Sequence, residues 1–246
     1  MRPVLTIIAL LFVVFILPAL AHVGVWLVKD RPASWRSADW SSAGLLPAPS
    51  TDESGVWLMS ARTGGLKGAL ATHSWIVTKA AGTTRYERYD KMGWGRPIRR
   101  NVQVADGRWY SNEPKVVWSV TGEKAERLIA PIEAAIRDYP WSKPGDYHIW
   151  PGPNSNSFIA HVINSVPGFG SALPAEAVGR DFPTDGGWWW RDAQGTLHAT
   201  LGGYAGFAVG SAVGLEFNFI GLVVGLNPKR GEVKLPGFGT MRPFSA

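Results

Sequence analysis

The stretch that most constrains this chain is its first one. Val4 to Val28 is almost wholly apolar, interrupted by Pro18 and His22, before Lys29-Asp30-Arg31-Pro32 ends the run. About 20 apolar residues cross a bilayer, so the segment is long enough to span one. Ala19-Leu20-Ala21 reads as a small-residue cleavage site, which makes a removable signal peptide the rival. The apolar run continues through Gly24-Val25-Trp26-Leu27-Val28, and this favours an uncleaved anchor over residues 1–30. Arg2 and the amino terminus stand on one side, and Lys29, Arg31 and Arg36 on the other, a count that taken literally draws the far side inward. The extreme N-terminal, signal-like position outweighs that count. The expectation is a bacterial inner (cytoplasmic) membrane protein whose soluble domain faces the periplasm.

Beyond the anchor, residues 31–54 are rich in Pro, Ser, Ala and Trp and read as a linker, with residues 55–246 as one domain. A chain of 246 residues with 46% hydrophobic and 18% charged residues holds ample apolar surface for a sizeable core. It contains no cysteine, which excludes disulfides, thiolate catalysis and cysteine-ligated zinc. No HExxH spacing, P-loop or dinucleotide-binding glycine pattern occurs, so neither a metal nor a cofactor is expected.

Short strands are predicted at Val56–Ala61, around His73, over Arg85 to Asp90 and at Lys115–Val120. Ala125, Leu128, Ile129, Ile132, Ile136 and Tyr139 then recur at helical spacing, with Thr121 as N-cap and Pro140 as the stop. Strands first and two central helices afterwards indicate an α+β layer fold, an antiparallel sheet packed on a few helices. Leu201 to Leu226 admits two readings. Glycines at 202, 206, 210 and 214 make a small-xxx-small pattern suited to membrane helices, whereas Leu215-Glu216-Phe217-Asn218-Phe219-Ile220 alternates as a strand does. Each glycine weakens a helix by about 1 kcal/mol relative to alanine, which favours a β-hairpin.

The chemistry-bearing stretch is Gly152-Pro153-Asn154-Ser155-Asn156-Ser157-Phe158, which opens a second helical pattern. Asn and Ser are good N-caps, and a cap alone accounts for such residues. The same place suits a nucleophile, because unpaired N–H groups at a helix start steady a developing oxyanion. Ser155 falls on the apolar stripe with Phe158, Ile159, Val162 and Val166, whereas Ser157 and His161 fall on a more polar face with Asn164 and Ser165 and are expected to meet solvent. The base chosen for Ser155 is His73, which alternation puts on one strand face with Trp75 and Val77. Its orienting carboxylate is sought in the next strand, where Glu87 is preferred to Asp90. His148 is a reserve histidine. Asn154, Asn156, Ser157, Trp75 and His148 complete the expected binding surface.

At these residues the chain resembles known families. A histidine on a strand and an Asn-x-x-x-Phe helix start are similar to the circularly permuted papain-like superfamily, which includes acyltransferases and cell-wall amidases, with Ser155 where that superfamily has its cysteine. From about Asp39 to Met241 the chain is also similar to an uncharacterised bacterial family of unknown function, family 3750. The likeness rests on Ser42-Ala43-Gly44-Leu45-Leu46-Pro47, Thr72-His73-Ser74-Trp75-Ile76, Trp150 to Phe158 and Lys234-Leu235-Pro236-Gly237-Phe238-Gly239. The first resemblance implies a permuted papain-like layer fold, and the second implies no activity. Because a serine hydroxyl must lose its proton as it attacks, the cysteine-to-serine change leaves either a Ser/His site or a groove without the reaction.

The net charge of +6 includes the run Arg85, Arg88, Lys91, Arg96, Arg99 and Arg100, most simply a solvated face. No nucleic-acid-binding motif is present, and none is expected as a partner. Among thirteen tryptophans, the run Trp188-Trp189-Trp190 is placed in a loop beside the Ser155 groove. Two functions follow. One is hydrolysis or acyl transfer on amide or ester bonds of envelope material, and the other is a non-catalytic groove that binds a peptide, lipid or glycan as a scaffold or accessory factor.

Overall fold

The computed structural model of the protein describes residues 2–243 and is α+β. A helix, α1 (Arg2–Leu27), precedes two antiparallel sheets. The first has the order β4-β3-β2-β1-β5, built from β1 (Gly55–Arg62), β2 (Thr72–Lys79), β3 (Glu87–Lys91), β4 (Ile98–Arg100) and β5 (Lys115–Thr121). The helices α2 (Glu123–Arg137) and α3 (Ser155–Ser165) follow it in sequence. The second sheet runs in plain sequence order from β12 to β6. Its strands are β6 (Trp189–Arg191), β7 (Leu197–Thr200), β8 (Ala205–Gly210), β9 (Gly214–Phe219), β10 (Leu222–Asn227), β11 (Glu232–Leu235) and β12 (Gly239–Met241).

Alternation divides the first sheet into two faces. Val56, Leu58, Ile76 and Tyr89 point toward α2 and α3, where Leu128, Ile132, Phe158, Ile159 and Val162 complete the main core. Trp57, Met59, Trp75 and Val77 point the other way, against Trp109 and Met92. Residues 31–54 form no helix or named strand, yet they are fastened to this second face. Trp40 meets Trp109 edge-on at 5.1 Å, and the Asp106 carboxylate accepts from the Ser42 hydroxyl at 2.7 Å and the Leu45 amide at 2.8 Å.

The strand and helix positions expected from pattern appear, with two changes. Gly122, at φ +70°, takes the N-cap position of α2 in place of Thr121, which remains in β5. Leu201–Leu226 lies in β8, β9 and part of β10 within a seven-stranded sheet, which is larger than a hairpin and contains no helix.

The second sheet has an unusual polarity. Pairing puts Glu216, Asn218, Asn227 and Lys234 on the face toward the rest of the domain, all buried, with Glu216 held between Arg180 and Lys234. Its outward face carries Phe207, Val209, Leu215, Phe217 and Leu226, each at least 41% exposed.

The helix α1 does not stand free of this domain. Phe15, Ala19, His22 and Trp26 recur along one side of it and are buried. Phe15 lies 5.6 Å from Phe219, and together with Ala19 it packs against Leu222 and Val224. Farther along, His22 Nδ1 pairs with the Ala69 carbonyl oxygen at 2.6 Å and the Trp26 indole donates to the Gly65 carbonyl at 3.0 Å.

Candidate functional site

The first turn of α3 is built by its cap. Asn154 is extended, and its side-chain oxygen accepts from the Asn156 amide at 2.8 Å and the Ser157 amide at 3.1 Å, while the Ser157 hydroxyl accepts from the Asn154 amide at 2.7 Å. This is a reciprocal capping box, with serine in the position usually held by Glu or Gln. Ser157 is therefore fully buried, beside the Tyr139 hydroxyl at 3.3 Å, and not on a solvent face as its spacing implied. The cap in turn is held by Asn154 Nδ2, which donates to the carbonyls of Ile149 (3.0 Å) and Val178 (3.1 Å).

The cap consumes the amides of Asn156 and Ser157 and leaves the Ser155 amide outside it. The Tyr147 phenol lines a cleft beside it. Burial pushes the phenol above its ordinary pKa, and hydrogen bonding to the Ser155 side chain and amide partly opposes the shift. Asn156 ties the helix start to β2, since its Nδ2 donates to the Thr72 carbonyl at 2.8 Å and to that of Val178 at 2.9 Å. His73 is the next residue along the strand.

His73 is buried in a charged and aromatic setting. Its Nε2 meets Asp90 Oδ1 at 2.7 Å, and its ring stacks on Trp109 with centroids 3.8 Å apart and planes 6° from parallel. Arg88 grips the same carboxylate with two bonds, Nε to Oδ2 at 2.7 Å and Nη2 to Oδ1 at 2.9 Å, and lies over the Trp75 ring at 4.0 Å. Burial acts to raise the Asp90 pKa, but the Arg88 charge and the bonds from His73 and Arg88 overcome it, so Asp90 sits well below the ordinary carboxylate range. Burial lowers the His73 imidazole, only partly offset by Asp90, so the ring is neutral near pH 7. A neutral imidazole with Nε2 committed to a carboxylate has Nδ1 as the nitrogen able to accept a proton.

Glu87 is not the partner of His73. In β3 it alternates with Arg88 and pairs with Thr78, while Arg88 pairs with Val77, so Glu87 faces away from His73, Trp75 and Val77. Its carboxylate is taken by Arg100 at 2.7 Å, by Arg85 at 3.3 Å and by Asn101. The Arg100 bond is the main cause of its lowered pKa.

A cleft of about 550 Å³ brings the two halves together: His73 and Trp109 on one wall, Tyr147, Asn154, Ser155 and Asn156 on the other. Among the described residues no hydrogen bond joins Ser155 to His73. Leu70, Ile149, Trp150, Ile220 and Leu222 form an apolar part of the same lining. Three expected contributors lie elsewhere. Trp75 is wholly buried under Arg88, with its indole donating to the Ala105 carbonyl at 2.8 Å, and is a core residue. His148 is exposed and outside the cleft lining, with its amide bonded to the Pro153 carbonyl at 2.9 Å. Trp190 lines a separate cleft of about 730 Å³ with His161, while Trp188 and Trp189 are exposed, so the tryptophan run does not border Ser155. Residues that sequence reasoning left out are Tyr147, Trp109 and Lys67, which line the cleft. Asp90 was legible as the strand-mate two residues from Arg88 once the register was known.

Among the described residues no cluster of three or more His, Asp or Glu side chains is arranged to hold a metal ion. A family model described as "Protein of unknown function (DUF3750)" matches residues 53–182, more than half of the chain, and takes in β1 through α3 with His73, Asp90 and Ser155. No curated protein and no solved structure matches.

Proposed function

For this chain, which belongs to the DUF3750 family of proteins of unknown function, we propose hydrolysis or acyl transfer at an amide or ester carbonyl bound in the cleft between β2 and α3. The observation that carries this is the buried His73–Asp90 pair opening into the same cleft as the helix-start Ser155. In this reading the Ser155 hydroxyl attacks the carbonyl carbon as its proton passes to His73 Nδ1, forming a tetrahedral oxyanion. The oxyanion takes the Ser155 amide, which the helix cap does not use. Collapse breaks the bond to the leaving group, which takes the proton from His73, and water or an acceptor nucleophile then releases the acyl group by the reverse steps. Asp90 fixes the ring with Nδ1 toward the cleft, and Arg88 fixes Asp90. The likeness to permuted papain-like enzymes supports this division of roles. The long apolar α1, whether anchor or signal sequence, supports a place at the inner membrane with the domain on the periplasmic side and envelope material as substrate.

A second reading keeps the cleft and drops the reaction, so that a peptide, lipid or glycan is bound without turnover. It is favoured by the Tyr147 hydroxyl on Ser155 and by the missing bond from Ser155 to His73. One experiment separates the two. The chain has no cysteine, so Ser155→Cys supplies a single thiol. With His73 in reach, its alkylation by iodoacetamide should follow a pKa below the ordinary ~8.5 that rises in the Ser155→Cys/His73→Ala double variant. An unshifted thiol, indifferent to His73, would reject the catalytic reading. In the native chain, fluorophosphonate labelling should disappear with Ser155→Ala and fall with His73→Ala. Labelling that survives both would place the nucleophile elsewhere.

A further inference from the structure

The second sheet is turned inside out relative to a sheet that faces water. An antiparallel sheet with one solvated face carries its apolar residues inward and its polar residues outward. Here the buried side holds Glu216, Asn218, Asn227 and Lys234 beside Ala208 and Val223, and the outer side holds Phe207, Val209, Leu215, Phe217 and Leu226. These residues are register neighbours: Phe207 pairs with Phe217, and Leu215 pairs with both Val209 and Leu226, which makes one continuous patch across β8, β9 and β10. Contiguous apolar patches of this kind on a protein surface mark a contact site.

What covers the patch is indicated by α1, which already lies on the same face against Phe219, Leu222 and Val224. The helix has 26 residues, about 39 Å at 1.5 Å per residue, against a hydrocarbon core of about 30 Å. Its docked side begins at Leu11, before the middle of the helix. Residues 2–10 alone reach about 14 Å, too short to cross. A helix that crosses must therefore take its docked half into the lipid, and the neighbouring sheet surface with it. We infer that the outer face of β8, β9 and β10 is seated in the hydrocarbon of a phospholipid bilayer beside α1, so that the domain is embedded on one side and not merely tethered. Trp189, 70% exposed on the same face in β6, and Arg191 at that far edge supply the aromatic and basic rim found where protein leaves lipid for headgroups.

The absence of native cysteine permits a direct test on the full chain. Phe207→Cys, Leu215→Cys, Phe217→Cys and Leu226→Cys are spin-labelled one at a time and reconstituted in vesicles of phosphatidylethanolamine and phosphatidylglycerol. Leu10→Cys on the exposed side of α1 and Lys124→Cys on α2 serve as references, all six sites being exposed. Collision rates with oxygen, which enriches in lipid, and with a water-soluble nickel chelate are compared. The oxygen-to-nickel ratio at the four sheet sites should match Leu10→Cys and exceed Lys124→Cys several-fold. Sheet sites that read like Lys124→Cys overturn the proposal, as does a Leu10→Cys that itself reads as water. Loss of both collisions together with dipolar broadening would identify a second copy of the chain as the cover, and would also overturn it.

Discussion

At the scale of single residues, the Asp90 carboxylate has two partners and its loss strands one of them. Asp90→Asn would leave the Arg88 guanidinium buried without its counter-ion, and breaking a buried pair in this way costs roughly 3–5 kcal/mol. Denaturant unfolding should show that loss for Asp90→Asn, whereas Glu87→Gln, on a half-buried carboxylate whose partner Arg100 is exposed, should cost less, about 1 kcal/mol. The acid response follows from the same cluster. Both His73 and Asp90 have folded pKa values below their unfolded ones, so below those unfolded values the denatured chain binds more protons than the native one, and stability rises with pH. Stability is thus full above the ordinary histidine pKa of about 6.5, falls as His73 takes a proton, and falls again below about pH 4 as Asp90 does. Unfolding midpoints measured between pH 7 and 5 should decline in the native chain and decline less steeply in His73→Gln, where His161, also lowered by burial, keeps part of the slope.

At the scale of elements, the start of α3 depends on a residue far from it in sequence. Gly179 has φ +95°, a conformation that glycine takes at no steric cost, and a Cβ there would collide with the Asn154 side chain that caps the helix. Gly179→Ala should therefore cost more than Asn154→Ala loses in cap energy, which is about 1 kcal/mol, and thermal unfolding would rank the two. Such dependence marks what pattern could and could not reveal. The Asn-Ser-Asn-Ser start of α3 was legible because capping is local, and β1, β2 and β5 were legible because their apolar residues are dense. Glu87 and Asp90 are not told apart by sequence because alternation alone does not say which parity of β3 shares a sheet face with His73; the pairing of Arg88 with Val77 decides it. Helical spacing alone gives Ser157 a wet face, because it does not register Tyr139, which lies against that hydroxyl. The second sheet was read only in part, since its strands carry their aromatic residues outward and the expected sign of the alternation fails.

For the whole molecule, the buried Arg180–Glu216–Lys234 group anchors the second sheet to the rest of the domain. Glu216→Ala would leave two buried cations facing each other and should destabilise the protein by roughly 3 kcal/mol or more, while a triple change of Arg180, Glu216 and Lys234 to apolar residues of similar volume should recover much of that loss. Unfolding curves in detergent would test both. The mouth of the Ser155 cleft has its own consequence at this scale. Leu70, Ile220 and Leu222 line that cleft, and Leu70 and Leu222 also belong to the α1 contact. With the outer sheet face seated in lipid, as we infer, a compound with a fatty tail would reach this apolar lining by sideways diffusion within a leaflet, already concentrated by partitioning, whereas a hydrophilic one would have to come from the aqueous side. Selection between compounds would then begin with which phase carries them, ahead of any contact with the serine.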